Sequence, residues 1–160
     1  MKQIIPFILF FAGSISLSYS QDYIDQSKSK AKERLEKSKT KEKNIHIVIE
    51  ETDNSLSFLI RDTAVQNLDF LLYFDSKGKC YKEKSVFTCD SCYQKFIALI
   101  LKDKYARWTK IDSTTYFARF PFRMMLYTKL EEPFSFEIRR SEMDGKAYRK
   151  TVRNALNNNN

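Results

Sequence analysis

From Ile45 onward, apolar side chains recur at every second position in short runs, the spacing of β-strands with one buried face. The first two runs flank turn-forming residues 52–55, and the next two flank residues 75–78, where Gly78 can adopt a positive φ. Consecutive strands joined by such short turns pair as antiparallel hairpins. Three more strand-like runs lie between residues 114 and 139, with breaks at Pro121 and Pro133.

Helical spacing appears in three other places. Residues 89–105 carry an amphipathic stripe, with Ser91 and Gln94 placed as a capping box. Residues 28–43 contain eight Lys or Arg and three Glu, which predicts a polar, largely solvated helix. A short helix also fits residues 144–156. The stripe of the amphipathic helix consists of Tyr93, Phe96, Ile97, Ile100, Leu101 and Tyr105.

Together these patterns predict an α+β protein: a mainly antiparallel sheet of about seven strands with one amphipathic helix packed on it, preceded by a polar N-terminal helix. Residues 44–140 form the predicted domain. Residues 21–43 are interpreted as a basic polar helix or linker, and residues 141–160 as a basic tail whose Asn-rich end is disordered.

Residues 1–20 have the three regions of a cleaved signal peptide. Lys2 supplies the positive charge, residues 4–12 are apolar, and Ser18 and Ser20 stand at −3 and −1 of a cut before Gln21. This apolar run is much shorter than the roughly 20 residues that span a bilayer. We therefore expect an exported protein, periplasmic or secreted and bacterial by preference, with no integral membrane span in the mature chain.

The chain has 28 Lys and Arg against 20 Asp and Glu, and the excess is concentrated at its ends. Residues 28–43 carry a net charge of +5 and residues 139–160 carry +4, whereas residues 44–138 are neutral. Basic ends of this kind suggest binding to a polyanion or to an envelope surface, and they are also typical of solvated flanks.

Cys89 and Cys92 form a CxxC motif at the start of the amphipathic helix, where a helix N-terminus stabilises a thiolate. The strand, CxxC and helix locally resemble a thioredoxin-like site. The resemblance implies a redox pair at Cys89 and Cys92 and assigns no further catalytic residue. A structural disulfide is the alternative, and with Cys80 as the third cysteine all three pairings remain open. His46 could complete a zinc set with the cysteines, but only the CxxC spacing supports it, so no metal is predicted.

The chain lacks the residues that several other classes of enzyme need. After residue 20 the only glycines are Gly78 and Gly145, too few for a dinucleotide fingerprint or a phosphate-binding loop. His46 is the single histidine, and no GxSxG elbow accompanies it. Aromatic and Arg residues alternate over residues 107–123 and could stack sugars or bases, but strand spacing favours a role in the core.

The function predicted from sequence is therefore a non-enzymatic binding or interaction module without a cofactor. Its partner would be another envelope or extracellular protein or a polyanion. Two alternatives are a thiol-disulfide protein using Cys89 and Cys92, and a protein that binds polyanions or the envelope surface through its basic termini.

Overall fold

The computed structural model describes residues 23–41, 46–62 and 66–158. The predicted leader and its cut before Gln21 lie outside the described residues, as do Asn159 and Asn160. The described residues form three helices and one eight-stranded sheet: α1 (Lys28–Lys41), β1 (His46–Glu51), β2 (Ser55–Asp62), β3 (Gln66–Phe74), β4 (Cys80–Phe87), α2 (Asp90–Leu101), β5 (Thr109–Lys110), β6 (Thr115–Phe117), β7 (Met124–Tyr127), β8 (Ser135–Arg140) and α3 (Gly145–Asn158). The predicted α+β class is confirmed. The sheet has one strand more than the seven expected. This additional strand is β5, whose two residues are too few to produce a detectable alternation in the sequence.

The strands lie in the order β1-β2-β3-β4-β8-β7-β6-β5, and every neighbouring pair is antiparallel. Strands β1 to β4 form one meander and β5 to β8 form a second. The two meanders meet where β4 pairs with β8, with Glu83 opposite Ile138 and Ser85 opposite Phe136. Helix α2 follows β4 and leads to β5 at the far edge of the sheet. Gly78 has a φ of 68°, so the turn before β4 uses the left-handed conformation expected from the sequence.

Helix α1 belongs to the hydrophobic core. Ala31 and Leu35 are fully buried, and Tyr23, just before the helix, is 1% exposed. All three pack in one cluster with the inward side chains of β1 to β4. The prediction of a single helix on the sheet is therefore inexact, because this mainly polar helix also covers part of the sheet through its narrow apolar stripe.

The segment before α1 is held to β4 by polar bonds that no sequence pattern reveals. One carboxylate oxygen of the buried Glu83 accepts hydrogen bonds from the backbone N–H of Tyr23 (3.1 Å) and Ile24 (3.0 Å). The backbone N–H of Asp25 donates to the carbonyl of Cys80 at 2.8 Å. These bonds fix where α1 begins and place its apolar stripe on the sheet.

Helix α2 covers the second half of the core. Ile97 and Ile100 are buried against a cluster that includes Phe87 and Phe136. The predicted capping box is not the observed cap: Cys89 caps the helix, its sulfur accepting from the backbone N–H of Cys92, 3.1 Å away. The helix ends at Leu101, so its apolar stripe stops short of Tyr105.

Helix α3 packs at the other end of the sheet through Tyr148, which is fully buried. Its ring stacks on Phe117 with centroids 5.1 Å apart, and its hydroxyl lies 2.7 Å from the carbonyl oxygen of Ala118 and 2.8 Å from that of Met124. Phe117 pairs with Met125, and their side chains lie on the same face of the sheet. Leu126, the next residue along β7, points to the other face, where it is buried beneath α2. Helix α3 therefore covers the face of the sheet opposite to α2. The helix agrees with the pattern over residues 144–156 and continues to Asn158.

Candidate functional site

The structure joins Cys89 to Cys92 in a disulfide at the N-terminus of α2, with the two Cα atoms 5.4 Å apart. Both residues are half-buried, and Ser91 between them is exposed. The strand, CxxC and helix are present as predicted. They follow β4 of an antiparallel sheet, so the resemblance to thioredoxin-like sites does not extend beyond these elements.

Cys80 is a buried free thiol, and burial raises its pKa. It begins β4, whereas Cys89 follows the end of the same strand at Phe87. A strand of this length spans roughly 25 Å at about 3.4 Å per residue, far beyond the Cα separation of about 5.5 Å that a disulfide requires. The position of Cys80 therefore favours Cys89–Cys92 over the two other pairings left open by the sequence.

His46 is exposed at the start of the edge strand β1, opposite Arg61. Within residues 23–41, 46–62 and 66–158, no three His, Cys, Asp or Glu side chains come together as metal ligands would. In the same part of the chain, no helix is long and apolar enough to cross a membrane.

A cleft of about 530 Å³ lies where the segment before α1 meets the loops that follow α2 and β6. The two aromatic residues in its lining, Tyr105 and Phe122, are 77% and 41% exposed. We call it the aromatic cleft. Its lining residues are Ile24, Asp25, Asp103, Tyr105, Ala106, Pro121, Phe122 and Met124.

Hydrogen bonds to backbone groups shape the two loops of the aromatic cleft, and one of them joins the loops. The Asp103 carboxylate accepts from the N–H of Tyr105 (2.5 Å) and of Ala106 (3.0 Å), which forms a tight turn directly after α2. The N–H of Arg119 donates to the carbonyl of Ala106 at 2.7 Å, and the N–H of Phe122 donates to the carbonyl of Arg119 at 3.1 Å. The cleft therefore has a bonded backbone frame beneath exposed side chains.

The backbone around the aromatic cleft is conformationally unusual. Four non-glycine residues in the described ranges have positive φ, and three of them line or adjoin the cleft: Asp25 (67°), Arg107 (46°) and Arg123 (52°). Such conformations are uncommon for residues with a Cβ and are enriched at functional sites, where surrounding contacts hold them in place.

The aromatic cleft combines apolar and acidic chemistry. Tyr105, Phe122 and Pro121 offer flat apolar surface, and the cleft contains the carboxylates of Asp25 and Asp103. The Asp25 carboxylate accepts from the Arg140 guanidinium at 2.7 Å. Because both carboxylates already have partners, the flat apolar surface is what suits the cleft to an apolar or amphipathic ligand.

The sequence pattern predicts other positions for these aromatic residues. Tyr105 was predicted on the apolar stripe of α2 and is instead highly exposed beyond the end of that helix. In the aromatic and Arg run, Phe117 is buried as expected, but Phe120 and Phe122 are 43% and 41% exposed. The one sequence signal for this exposure is Pro121 between the two phenylalanines, because a proline interrupts strand pairing.

The two basic ends also differ. In α1, Lys28 and Lys32 form ion pairs with Glu51, and Lys37 pairs with Glu33. Helix α3 contains no acidic residue.

Comparison with protein-family models, with curated proteins and with solved structures gives no match to this chain.

Proposed function

We propose that the protein is a non-enzymatic, exported binding module, and that the aromatic cleft binds a segment of another envelope or extracellular protein. The observation that carries this proposal is the exposure of Tyr105 and Phe122, the two aromatic residues that line the cleft. Aromatic side chains beside a concave surface supply much of the binding energy at many protein interfaces. Export rests on the signal-peptide pattern at residues 1–20.

The polar groups of the cleft indicate which ligands it favours. The Asp25 carboxylate is paired with Arg140, and the Asp103 carboxylate accepts from two backbone N–H groups. The cleft therefore favours a partner segment for its apolar side chains rather than for its charge. The positive-φ residues around the cleft support the proposal, since conformations that are costly for the free chain persist where the surrounding structure fixes them.

The test is site-specific photo-crosslinking in the native host. A photoreactive amino acid replaces Tyr105 in one variant and Leu99 in the control, because Leu99 is also exposed, at 45%, but lies on α2 outside the cleft lining. We expect one protein adduct at position 105 and none at position 99. Equal adducts at both positions would contradict the proposal.

The crosslinked partner is then purified and titrated against variants. Tyr105→Ala combined with Phe122→Ala should weaken binding at least about tenfold, since truncated aromatic anchors typically cost more than 1 kcal/mol each. Leu99→Ala should change binding less than about twofold. If the double variant binds as tightly as the original protein, the cleft is not the binding site.

A second candidate function is thiol-disulfide exchange at Cys89 and Cys92. It is supported by the position of the half-buried disulfide at the N-terminus of α2, where the backbone N–H of Cys92 donates to the Cys89 sulfur and the helix dipole favours a thiolate. Asp90, in the first turn of the same helix, opposes this effect with its negative charge. An insulin-reduction assay tests the candidate: activity must be present and must disappear in Cys89→Ser, whereas Cys80→Ser must retain it.

A further inference from the structure

Four cations share one face of α3: Lys146, Arg149, Lys150 and Arg153. Their spacing of three and four residues places them within about 100° of the helix circumference. All four are exposed, and none forms an ion pair with another residue in the described part of the chain. We call this surface the cationic face of α3.

The packing of the other side of α3 on the sheet fixes the orientation of the cationic face. On the opposite side of the helix Tyr148 is fully buried, and Val152 and Ala155 are half-buried. Because this apolar side already packs on the sheet, the helix cannot turn it toward another partner. The cationic face is therefore presented to the solvent as a fixed surface.

Exposed apolar side chains border the cationic face. The Arg149 guanidinium lies over the Phe120 ring, 4.7 Å from its centroid, and Phe120 is still 43% exposed. Leu156, one turn after Arg153, is 50% exposed. Cations beside exposed aromatic and aliphatic groups are the combination found where proteins meet a lipid interface.

Two acidic residues precede the helix. Glu142 is exposed, and the Asp144 carboxylate caps the helix by accepting from the N–H of Lys146 (2.8 Å) and Ala147 (2.9 Å). Both lie at the N-terminal end, so the negative charge is confined to one end of the surface and the rest of the cationic face stays positive.

We propose that the cationic face of α3 docks the protein on an anionic lipid surface, with Phe120 and Leu156 entering the headgroup region. This inference goes beyond the proposed function of the aromatic cleft, because it concerns a different surface and a different class of partner. The observation that favours lipid over a soluble polyanion is the exposed apolar border, which a polysaccharide or nucleic acid backbone would leave in water.

The experiment measures co-sedimentation of the purified protein with vesicles. Vesicles that contain phosphatidylglycerol should bind it, vesicles of phosphatidylcholine alone should not, and the affinity should fall as salt is raised. Lys146→Gln with Lys150→Gln should weaken binding about 30-fold, taking each cation near an anionic surface as worth about a fivefold effect. Lys146→Arg with Lys150→Arg should retain binding.

The matched control is Lys30→Gln with Lys39→Gln. These exposed lysines lie on α1, and their replacement changes the net charge by the same amount. We expect a few-fold effect at most. Equal losses from the two pairs would mean that binding follows net charge alone and would overturn the assignment to α3.

Two further measurements separate the proposal from its rivals. Phe120→Ala should weaken vesicle binding and leave heparin binding unchanged. Binding to heparin without binding to anionic vesicles would overturn the lipid assignment.

Tyr105→Ala should leave vesicle binding unchanged, because Tyr105 belongs to the aromatic cleft. The vesicle-binding proposal and the cleft proposal can therefore fail independently of each other. Absence of any preference for phosphatidylglycerol vesicles would also overturn the inference.

Discussion

Helices α1 and α3 have the same length, 14 residues, and both looked like basic flanks in the sequence, yet the protein uses them differently. Helix α1 buries Ala31 and Leu35 completely, and Glu51 pairs with two of its lysines. Helix α3 is attached mainly through Tyr148 and leaves its cations without ion pairs to the rest of the described chain. Net charge identifies a basic segment, but the neighbouring acidic residues decide whether its charge is available to a partner.

The largest expected difference is in the free energy of unfolding. Leu35→Ala should lower it by about 2–5 kcal/mol, because the side chain is fully buried and its truncation leaves a cavity. Leu156→Ala, on the exposed side of α3, should cost less than about 0.5 kcal/mol. Urea denaturation of both variants measures the difference. Equal costs would show that α1 is not part of the core.

Tyr148→Phe tests the attachment of α3. It should lower the free energy of unfolding by about 1–2 kcal/mol, because the hydroxyl lies within hydrogen-bond distance of two backbone carbonyl oxygens in a buried site. Tyr105→Phe is the matched control: its ring is 77% exposed, and we expect no measurable change. A Tyr148→Phe variant as stable as the control would mean that these hydrogen bonds contribute nothing.

A smaller effect on stability, which depends on pH, is expected at Arg140. Its guanidinium joins Asp25 in the segment before α1 to Asp75 in the turn before β4. Arg140 binds both Asp75 and Asp25, each at 2.7 Å, and together with backbone N–H groups it lowers the pKa of Asp75 from 3.8 to about 2. Because the folded-state pKa is the lower one, the stabilisation is complete above about pH 4 and is lost as the pH falls toward 2.

Asp75→Asn should therefore be less stable than the original protein at about pH 5, and the difference should shrink on acidification to about pH 2. Thermal unfolding at several pH values measures it. Arg140→Gln should show the same trend, since it removes the main cause of the shift. A difference that stays constant with pH would contradict the assignment to this carboxylate.

The smallest expected effect concerns the availability of the α1 lysines. Glu51→Gln removes the ion-pair partner of Lys28 and Lys32 and should raise the affinity for phosphatidylglycerol vesicles, by less than about fivefold. Glu50→Gln changes the net charge equally but lies on the other face of β1, so it should have less effect. If both variants increase binding to the same extent, pairing with Glu51 does not explain the difference between the helices.

Much of the fold followed from periodicity. The alternation of apolar residues predicted the antiparallel sheet and its first four strands closely, because one buried face imposes a spacing of two. The packing of α1 could not be predicted, since it depends on Glu83, a charged residue that is buried because its carboxylate binds the backbone of Tyr23 and Ile24. Only the three-dimensional arrangement pairs this acid with its donors.

The candidate site was less predictable than the fold. The CxxC motif and its place at a helix N-terminus were visible in the sequence, but the pairing of Cys89 with Cys92 was one of three options. The sequence does not indicate the aromatic cleft, because Tyr105 continues the apolar spacing of α2 although the helix ends at Leu101. Spacing alone does not show where a helix stops when a tight turn, here at Asp103, follows it.

The pairing of β4 with β8 has a consequence for how the chain folds. Val86 and Ser135 are partners in this pairing, and all of α2, β5, β6 and β7 lies between them in the chain. During synthesis β4 therefore emerges long before β8 and has an unpaired edge until the second meander is complete. We expect closure of this pairing to be a late, slow event and chains shortened before β8 to aggregate through β4.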